Sequence, residues 1–241
     1  MSYYQRINFS KEDLPEEIAW DGRKKEIVKP VQSGFDYDEW PIIRNSYTTG
    51  GQKLEMAHWE FIPFWINDVG ELEQVREKHT TLNAKGETLL TSKMFSKAAR
   101  ERRCLMLSSG FYEWRHYRGQ TYPYFIRVKG KNVFYQAGIW QPWTDKETGE
   151  RMNTFALVTT KANTLLSKIH NNRKRMPVLL TDELVQQWMQ KDLDDKTIRA
   201  IATFQFPSDK LEYWTIRKDF REAYDPIAPF TYEKLPAITL K

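Results

Sequence analysis

The chain contains the run CLMLSSGFYEW at 104–114, followed by YPYFIRV at 122–128 and NVFYQAGIW at 132–140. All three runs are rich in aromatic and β-branched residues, which favour β-strands. Turn residues separate them at hairpin spacing, with RGQ at 118–120 and KGKN at 129–132. The middle of the chain is therefore predicted to be an antiparallel meander.

Further strand candidates lie on both sides of this meander, and helical spacing is confined to fewer segments. The additional strand runs are PIIRN at 41–45, KLEMAHWEFIP at 53–63 and NTFALVTT at 153–160. The helix candidates are FSKAARERR at 95–103, a short segment from about 162 to 169, and TDELVQQWMQKDL at 181–193. In the last segment, Thr181 before two acidic residues is typical of a helix N-cap. The pattern predicts an α+β fold with a mainly antiparallel sheet and peripheral helices.

The composition indicates a globular chain of 241 residues, with 40% hydrophobic and 29% charged residues. No apolar run approaches the ~18 to 20 residues of a membrane-spanning helix, so no membrane partner is expected. Neither repeats nor a flexible linker interrupt the sequence, and we predict a single domain over residues 1–241. The N-terminus MSYYQRINFSKEDLPEE has no apolar signal segment, which predicts a cytoplasmic protein. The single cysteine, Cys104, excludes an internal disulfide and a cysteine-built metal site.

The charge and aromatic content are compatible with binding to nucleic acid but do not demand it. Thirty-seven Lys and Arg residues against 32 Asp and Glu residues give a net charge of +5. Nine Trp, twelve Tyr and thirteen Phe residues are a large aromatic load. Most of these rings are expected to fill the core, and a few are available to stack on bases.

Three polar residues, Asn83, Glu113 and His170, stand in segments that should otherwise be apolar and packed. Aromatic neighbours on both sides of Glu113 would desolvate its carboxylate and suit it to proton transfer, unless it lies on the solvated face of an edge strand. His170 can shuttle protons or simply bond a backbone carbonyl. Asn83 can serve as a hydrogen-bond donor in a site or as a turn-former. The residues alone leave these alternatives open.

Several common catalytic and cofactor motifs are absent from the sequence. There is no GxxxxGK[ST] loop, no GxGxxG after a strand, no HExxH and no paired His and Cys spacing. Ser108-Ser109-Gly110 is not a GxSxG nucleophile elbow. We therefore predict neither a metal nor a cofactor.

An ordered series of short motifs resembles the SRAP family, the SOS response-associated peptidase domain. The resemblance is strongest over residues 33–193 and rests on the order and spacing of many individually weak motifs. These segments are SGF at 33–35, PII at 41–43, WEFIPFW at 59–65, NAKGET at 83–88, RCL at 103–105, GFYEW at 110–114, AGIW at 137–140, VTT at 158–160 and IHNNRKRMP at 169–177.

The resemblance implies a DNA-damage protein that recognises abasic sites in single-stranded DNA and captures them covalently. In the family, autoproteolytic removal of Met1 exposes a cysteine at position 2, whose amine and thiol close a thiazolidine on the sugar aldehyde. This chain carries Ser2 there. A serine amine can still form a Schiff base, but a hydroxyl closes the ring far less readily than a thiol. We therefore expect stable crosslinking to be impaired.

The resemblance also assigns roles to residues and refines the fold to a partly barrel-like sheet. Its implied catalytic residues are Ser2, Asn83, Glu113 and His170, and its implied DNA-binding residues are Trp65, Lys85, Thr159 and Arg175. Lys85 stands where the family usually has arginine, which keeps a phosphate contact but loses the bidentate fork. The longer segment between His170 and Arg175 makes the Arg175 match the least direct of these.

The predicted function is thus abasic-site recognition and crosslinking, with no cofactor, by a monomer in the bacterial cytoplasm that joins the nucleoid during DNA damage. Two alternatives belong to other classes. One is a single-stranded DNA-binding module without chemistry. The other is a peptidase that acts on proteins, which is disfavoured because the sequence offers Ser2 no evident triad.

Overall fold

The computed structural model of the protein describes residues 3–20, 26–46 and 50–240. The strands in these ranges are β1 (Tyr4–Ser10), β2 (Ala19–Trp20), β3 (Glu26–Ser33), β4 (Glu39–Asn45), β5 (Gln52–Trp59), β6 (Asn83–Lys85), β7 (Arg103–Ser108), β8 (Gly110–Tyr117), β9 (Gln120–Val128), β10 (Phe134–Thr144), β11 (Arg151–Lys161), β12 (Arg175–Pro177) and β13 (Leu211–Thr215). The helices are α1 (Val69–Lys78), α2 (Ser96–Glu101), α3 (Thr164–Ile169), α4 (Asp182–Trp188) and α5 (Asp195–Ala202). The predicted α+β fold is confirmed.

Five of the strands close into a barrel in the order β4, β5, β11, β10 and β7, with β7 returning to β4. Every pairing in the ring is antiparallel except that of β5 with β11, where Trp59 lies opposite Phe155. Large buried aromatic rings pack together in the barrel. The Trp59 ring stacks on that of Phe155 with centroids 6.1 Å apart, and its centroid lies 5.8 Å from that of Trp40. Strands β2, β6 and β12 extend this sheet. The partly barrel-like, mainly antiparallel sheet is confirmed.

A second, five-stranded antiparallel sheet has the order β13, β9, β8, β1 and β3. One face of it carries Tyr112 and Phe125, which pack against Ile216 and Phe220 from the segment after β13. The Tyr112 and Phe220 rings stack with centroids 4.7 Å apart. The chain that follows the last strand therefore covers this face of the sheet.

The continuous run 104–114 forms two strands that belong to different sheets. Strand β7 lies in the barrel, and β8 lies in the five-stranded sheet. Gly110 allows the close packing at this junction, because a Cβ there would lie 2.0 Å from the Phe125 ring. The hairpin predicted at 118–120 is confirmed, with Arg118 and Gly119 at φ 49° and 73° between paired strands β8 and β9.

The hairpin predicted at 129–132 is wrong. Strand β9 pairs with β8 and β13, whereas β10 pairs with β7 and β11 in the other sheet. The turn residues at 129–132 do reverse the chain, but they carry no information about which strand accepts the next one. The predicted meander is thus interrupted where the chain crosses from one sheet to the other.

The three helix predictions correspond to α2, α3 and α4, while α1 and α5 were not predicted from the sequence. Thr181 caps α4 as predicted, because its hydroxyl accepts a hydrogen bond from the Leu184 N–H at 3.3 Å. Helix α4 anchors on the barrel through Trp188, whose indole N–H donates to the carbonyls of Cys104 and Gly138. No helix in the described ranges is long and apolar enough to cross a membrane.

Candidate functional site

Strand β8 and the end of α3 bring Glu113 and His170 together, far apart though they are in the sequence. Glu113 Oε2 lies 3.5 Å from His170 Nδ1, and the two residues are 2% and 7% exposed. The alternative that Glu113 lies on a solvated face is therefore wrong. A carboxylate and an imidazole held in a dry pocket can pass a proton between them and a bound molecule.

His170 also bonds a backbone carbonyl, as one of its two interpretations expects, whereas proton transfer by its ring stays a prediction. Its Nδ1 lies 2.9 Å from the carbonyl oxygen of Arg175. Because a carbonyl can only accept, Nδ1 carries the proton in this contact. In this tautomer Nε2 carries a lone pair and can accept a proton or a hydrogen bond. Acid–base chemistry at Nε2 requires this arrangement.

Asn83 lies in strand β6, not in a turn, so its interpretation as a turn-former is wrong. Strand β6 pairs with β11, with Asn83 opposite Leu157. Both polar atoms of the Asn83 side chain are buried, and neither has a hydrogen-bond partner of good geometry in the described part of the chain. A buried amide without partners costs roughly 1–3 kcal/mol, and a ligand that bonded it would recover that free energy.

Tyr3, the first residue of the described chain, lies beside these groups. The Gly34 N–H donates to the Tyr3 carbonyl at 2.7 Å, and the Tyr3 ring packs on Phe35 with centroids 4.6 Å apart. Burial raises the pKa of Tyr3, while the nearby Asn83 side chain and Arg173 oppose the shift, and Glu113 adds to it. The Tyr3 hydroxyl therefore lies close to the Asn83 amide.

Ser2 and Met1 lie outside the described residues. The role that the resemblance assigns to Ser2 and the removal of Met1 therefore stay predictions.

Arg175 is engaged inside the protein. Its guanidinium donates to both carboxylate oxygens of Glu87 at 2.8 and 2.9 Å, and to the carbonyl and hydroxyl oxygens of Thr159 at 2.6 and 3.0 Å. Thr159 is fully buried beneath it. Burial opposes ionisation of Glu87, but hydrogen bonds from Arg175 and the Lys161 N–H outweigh it and hold the pKa of Glu87 below its usual range. Phosphate contacts by Arg175 and Thr159 stay predictions.

The other two predicted DNA-binding residues are accessible. Lys85 is exposed two residues after Asn83. Trp65 is 44% exposed and forms an edge-to-face pair with Phe64, which is 74% exposed. Exposed rings of this kind offer a stacking surface to a base.

Cys104 belongs to the barrel wall. It is fully buried, and burial raises the pKa of its thiol. Its sulfur fills the space over Gly138, where a Cβ would approach it to 2.8 Å. This agrees with the interpretation that Cys104 serves the fold. Within the described ranges, no group of three or more His, Cys, Asp or Glu residues could hold a metal ion.

Sequence reasoning missed three residues around the site: Tyr3, Glu87 and Asn171. Glu87 had a signal, because it stands in the NAKGET segment at 83–88 that carries part of the family resemblance. Asn171 bonds the backbone of His116 at 2.9 and 2.8 Å, a contact across the fold that no local pattern predicts.

Comparisons of the sequence with a family model and with known proteins indicate the same family. The sequence model of the family "SOS response associated peptidase (SRAP)" matches residues 5–223. The chain is 32% identical over 166 residues to the abasic site processing protein YoqW of Bacillus subtilis, covering 68% of this chain and 69% of that protein. It is 26% identical over 188 residues to the abasic site processing protein YedK of Escherichia coli, covering 73% and 78%.

A crystal structure of a protein from Bacteroides thetaiotaomicron has the same fold. It superposes with a TM-score of 0.84 at 27% identity and covers 95% of this chain and 100% of that one. The family match extends over most of the chain and includes β8 and α3, the two elements that carry Glu113 and His170. The chain therefore belongs to the SOS response associated peptidase (SRAP) family.

Proposed function

We propose that this protein processes abasic sites in single-stranded DNA, with the α-amine of residue 2 as the group that attacks the sugar. The observation that carries the proposal is the buried Glu113–His170 pair, 3.5 Å apart, beside the unpartnered amide of Asn83 and the start of the described chain. The names of the relatives YoqW and YedK support the same substrate.

The reaction begins once Met1 is removed, by autoproteolysis or by an aminopeptidase. The cyclic sugar opens first: His170 takes the proton of the C1 hydroxyl at Nε2 and returns it to the ring oxygen as the bond between that oxygen and C1 breaks. The free amine then adds to the C1 aldehyde and loses a proton to Glu113. Glu113 returns this proton to the carbinolamine hydroxyl, which leaves as water and gives the imine. Asn83 donates to and accepts from the lesion hydroxyls, which gives its buried amide the partners that it needs.

Ser2 limits the reaction to this stage. A thiol at residue 2 adds to the imine carbon and closes a stable five-membered ring, because thiolate is available near neutral pH. The serine hydroxyl is not ionised at that pH and is a weak nucleophile. The imine therefore stays reversible, and reduction is needed to trap it.

DNA on either side of the lesion is held by the exposed groups of the site. Trp65 stacks against a base, a contact worth about 1–3 kcal/mol per base. Lys85 contacts a phosphate as a point charge. Arg175 contacts a further phosphate, while Glu87 and the buried Thr159 hold its guanidinium in place.

The test is a trapping assay with an abasic single-stranded oligonucleotide and purified protein, as it stands and with Ser2→Cys. Products are resolved on a denaturing gel with and without borohydride, and intact mass reports whether Met1 is present. We expect Ser2→Cys to give an adduct without borohydride and the serine protein to give one only with it. Glu113→Gln and His170→Gln in the Ser2→Cys background should slow adduct formation at least tenfold.

One result would contradict the proposal. If both proteins have free N-termini and bind the oligonucleotide, yet neither is trapped under any condition, the site holds DNA without reacting with it. The function would then be that of a single-stranded DNA-binding module.

A further inference from the structure

The loop that follows His170 is fastened to the edge of strand β8. The Asn171 side chain accepts a hydrogen bond from the His116 N–H at 2.9 Å and donates one to the His116 carbonyl at 2.8 Å. The described pairing of β1 with β8 covers only Gly110 to Tyr112, so His116 lies beyond it. The asparagine amide thus supplies both hydrogen bonds that a neighbouring strand residue would have made.

This contact lies immediately beside the candidate acid–base pair. Asn171 is adjacent to His170, and His116 follows Glu113 by three residues on the same strand. The loop itself is closed on its other side, because the Lys174 N–H donates to the His170 carbonyl at 2.8 Å and the Ala162 N–H donates to the Lys174 carbonyl at 2.9 Å. Lys174 adopts φ 49°, which turns the chain back toward β12.

The C-terminal segment, residues 235–239, also connects β8 with α3. Arg115 on β8 donates to the Pro236 carbonyl at 2.6 Å, and Lys168 on α3 bonds the Thr239 carbonyl. Leu235 and Ile238 pack against the hydrophobic cluster that contains Leu165 and Ile169 of α3. This C-terminal segment lies beyond residue 223, where the family match ends.

We propose that Asn171 is a positioning residue that fixes His170 against Glu113, an inference that rests on the function proposed above. Only a side chain that carries both a donor and an acceptor in one plane can bond the N–H and the carbonyl of His116 together. Without it, the loop after α3 loses its two hydrogen bonds to His116 on β8, while α3 keeps its contact with the C-terminal segment. Misplacement of a catalytic group by about 1 Å can lower a rate about a hundredfold.

The experiment compares Asn171→Ala with Asn172→Ala, a matched control at the exposed next position of the loop. Single-turnover borohydride trapping is measured at saturating abasic oligonucleotide, with the dissociation constant determined separately. We expect Asn171→Ala to slow trapping at least tenfold and to leave the dissociation constant within twofold. Amide exchange at His116 should accelerate at least tenfold, and Asn172→Ala should change none of these values.

Asn171→Asp is the second variant, in case the alanine protein does not fold. It keeps an acceptor for the His116 N–H and loses the donor to the carbonyl, so we expect a trapping rate between those of wild type and Asn171→Ala. A trapping rate within twofold of wild type in Asn171→Ala would overturn the proposal, and the same result in Asn171→Asp would do so if the alanine protein does not fold. The proposal would also be overturned if Asn171→Ala raised the dissociation constant for the oligonucleotide and trapped it as fast as wild type once the oligonucleotide was saturating.

The outcome can be separated from failure of the proposed function. If the wild-type protein traps no abasic DNA, the function fails, and the positioning role is judged on crystal structures of wild type and Asn171→Ala. An unchanged distance between Glu113 Oε2 and His170 Nδ1 in the variant would then overturn it. A longer distance, with the same pair intact in Asn172→Ala, would support it.

Discussion

Replacing Glu87 with Gln should lower the free energy of unfolding and the Tm. It should also make the Tm fall less steeply as the pH is lowered. The Glu87 carboxylate accepts two hydrogen bonds from Arg175, which is 14% exposed, and one from the Lys161 N–H. Glutamine keeps a carbonyl acceptor but loses the charge. Hydrogen bonds to charged groups contribute about 1.5–3 kcal/mol and neutral ones about 0.5–1.5 kcal/mol, so weakening even one of these bonds costs about 1–1.5 kcal/mol and the total loss is at least about 1.5 kcal/mol. For a protein of this length, that corresponds to a fall in Tm of about 3–6 °C.

The pH dependence follows from the lowered pKa of Glu87. A carboxyl group whose pKa is lower in the folded protein than in the unfolded protein stabilises the fold at pH values above its unfolded-state pKa. This stabilisation is lost as the pH falls through the pKa of the folded state. The difference in Tm between wild type and Glu87→Gln should therefore be constant above pH ~5 and shrink below the ordinary glutamate pKa of about 4.3. Thermal melts by circular dichroism from pH 3 to 8 measure it, with Glu73→Gln at an exposed position in the middle of α1 as the control. An equal difference at pH 3.5 and pH 7 would refute the reasoning.

Three further changes test the packing. Gly110→Ala should lower the free energy of unfolding by about 1–3 kcal/mol, because its Cβ would lie 2.0 Å from the Phe125 ring. Urea denaturation measures the loss, and the double variant with Phe125→Leu should recover part of it. Trp188→Phe should cost about 1–3 kcal/mol in the same assay, because the buried carbonyls of Cys104 and Gly138 lose their indole donor; an unchanged midpoint would contradict the contact. Cys104 should resist iodoacetamide in the native protein and react fully in denaturant, whereas labelling of the native protein at the rate of a free thiol would show that the barrel wall opens.

Local patterns predicted the individual elements well. Aromatic and β-branched runs marked six strand segments, and the turn at 118–120 joins β8 and β9 as predicted. The N-cap at Thr181 was also evident, because capping depends only on residues within one turn of each other. Helix α1 was missed: only one of its ten residues, Leu72, is buried, so it lacks the broad apolar face that marks a helix in a sequence.

Pairing between distant elements was not predictable in this way. The run 104–114 was predicted as one strand, yet it divides at Ser109 within Ser108-Ser109-Gly110, and the turn at 129–132 connects strands that do not pair. Strand propensity is the same whichever neighbour a strand acquires, and the choice depends on packing across the whole fold. The parallel contact of β5 with β11, which closes the barrel, is a consequence of that packing.

The family, the α+β class and the interest of Asn83, Glu113 and His170 were evident from the linear chain, because ordered motifs and local propensity depend on sequence order alone. The folded arrangement was not evident: Glu113 is buried against His170, and Asn83 lies in a strand with its amide atoms buried. The same holds for the contact of Glu87 with Arg175 and for that of Asn171 with the His116 backbone. Burial and hydrogen bonding of this kind arise between residues that are distant in sequence and meet only when the barrel and the second sheet have formed.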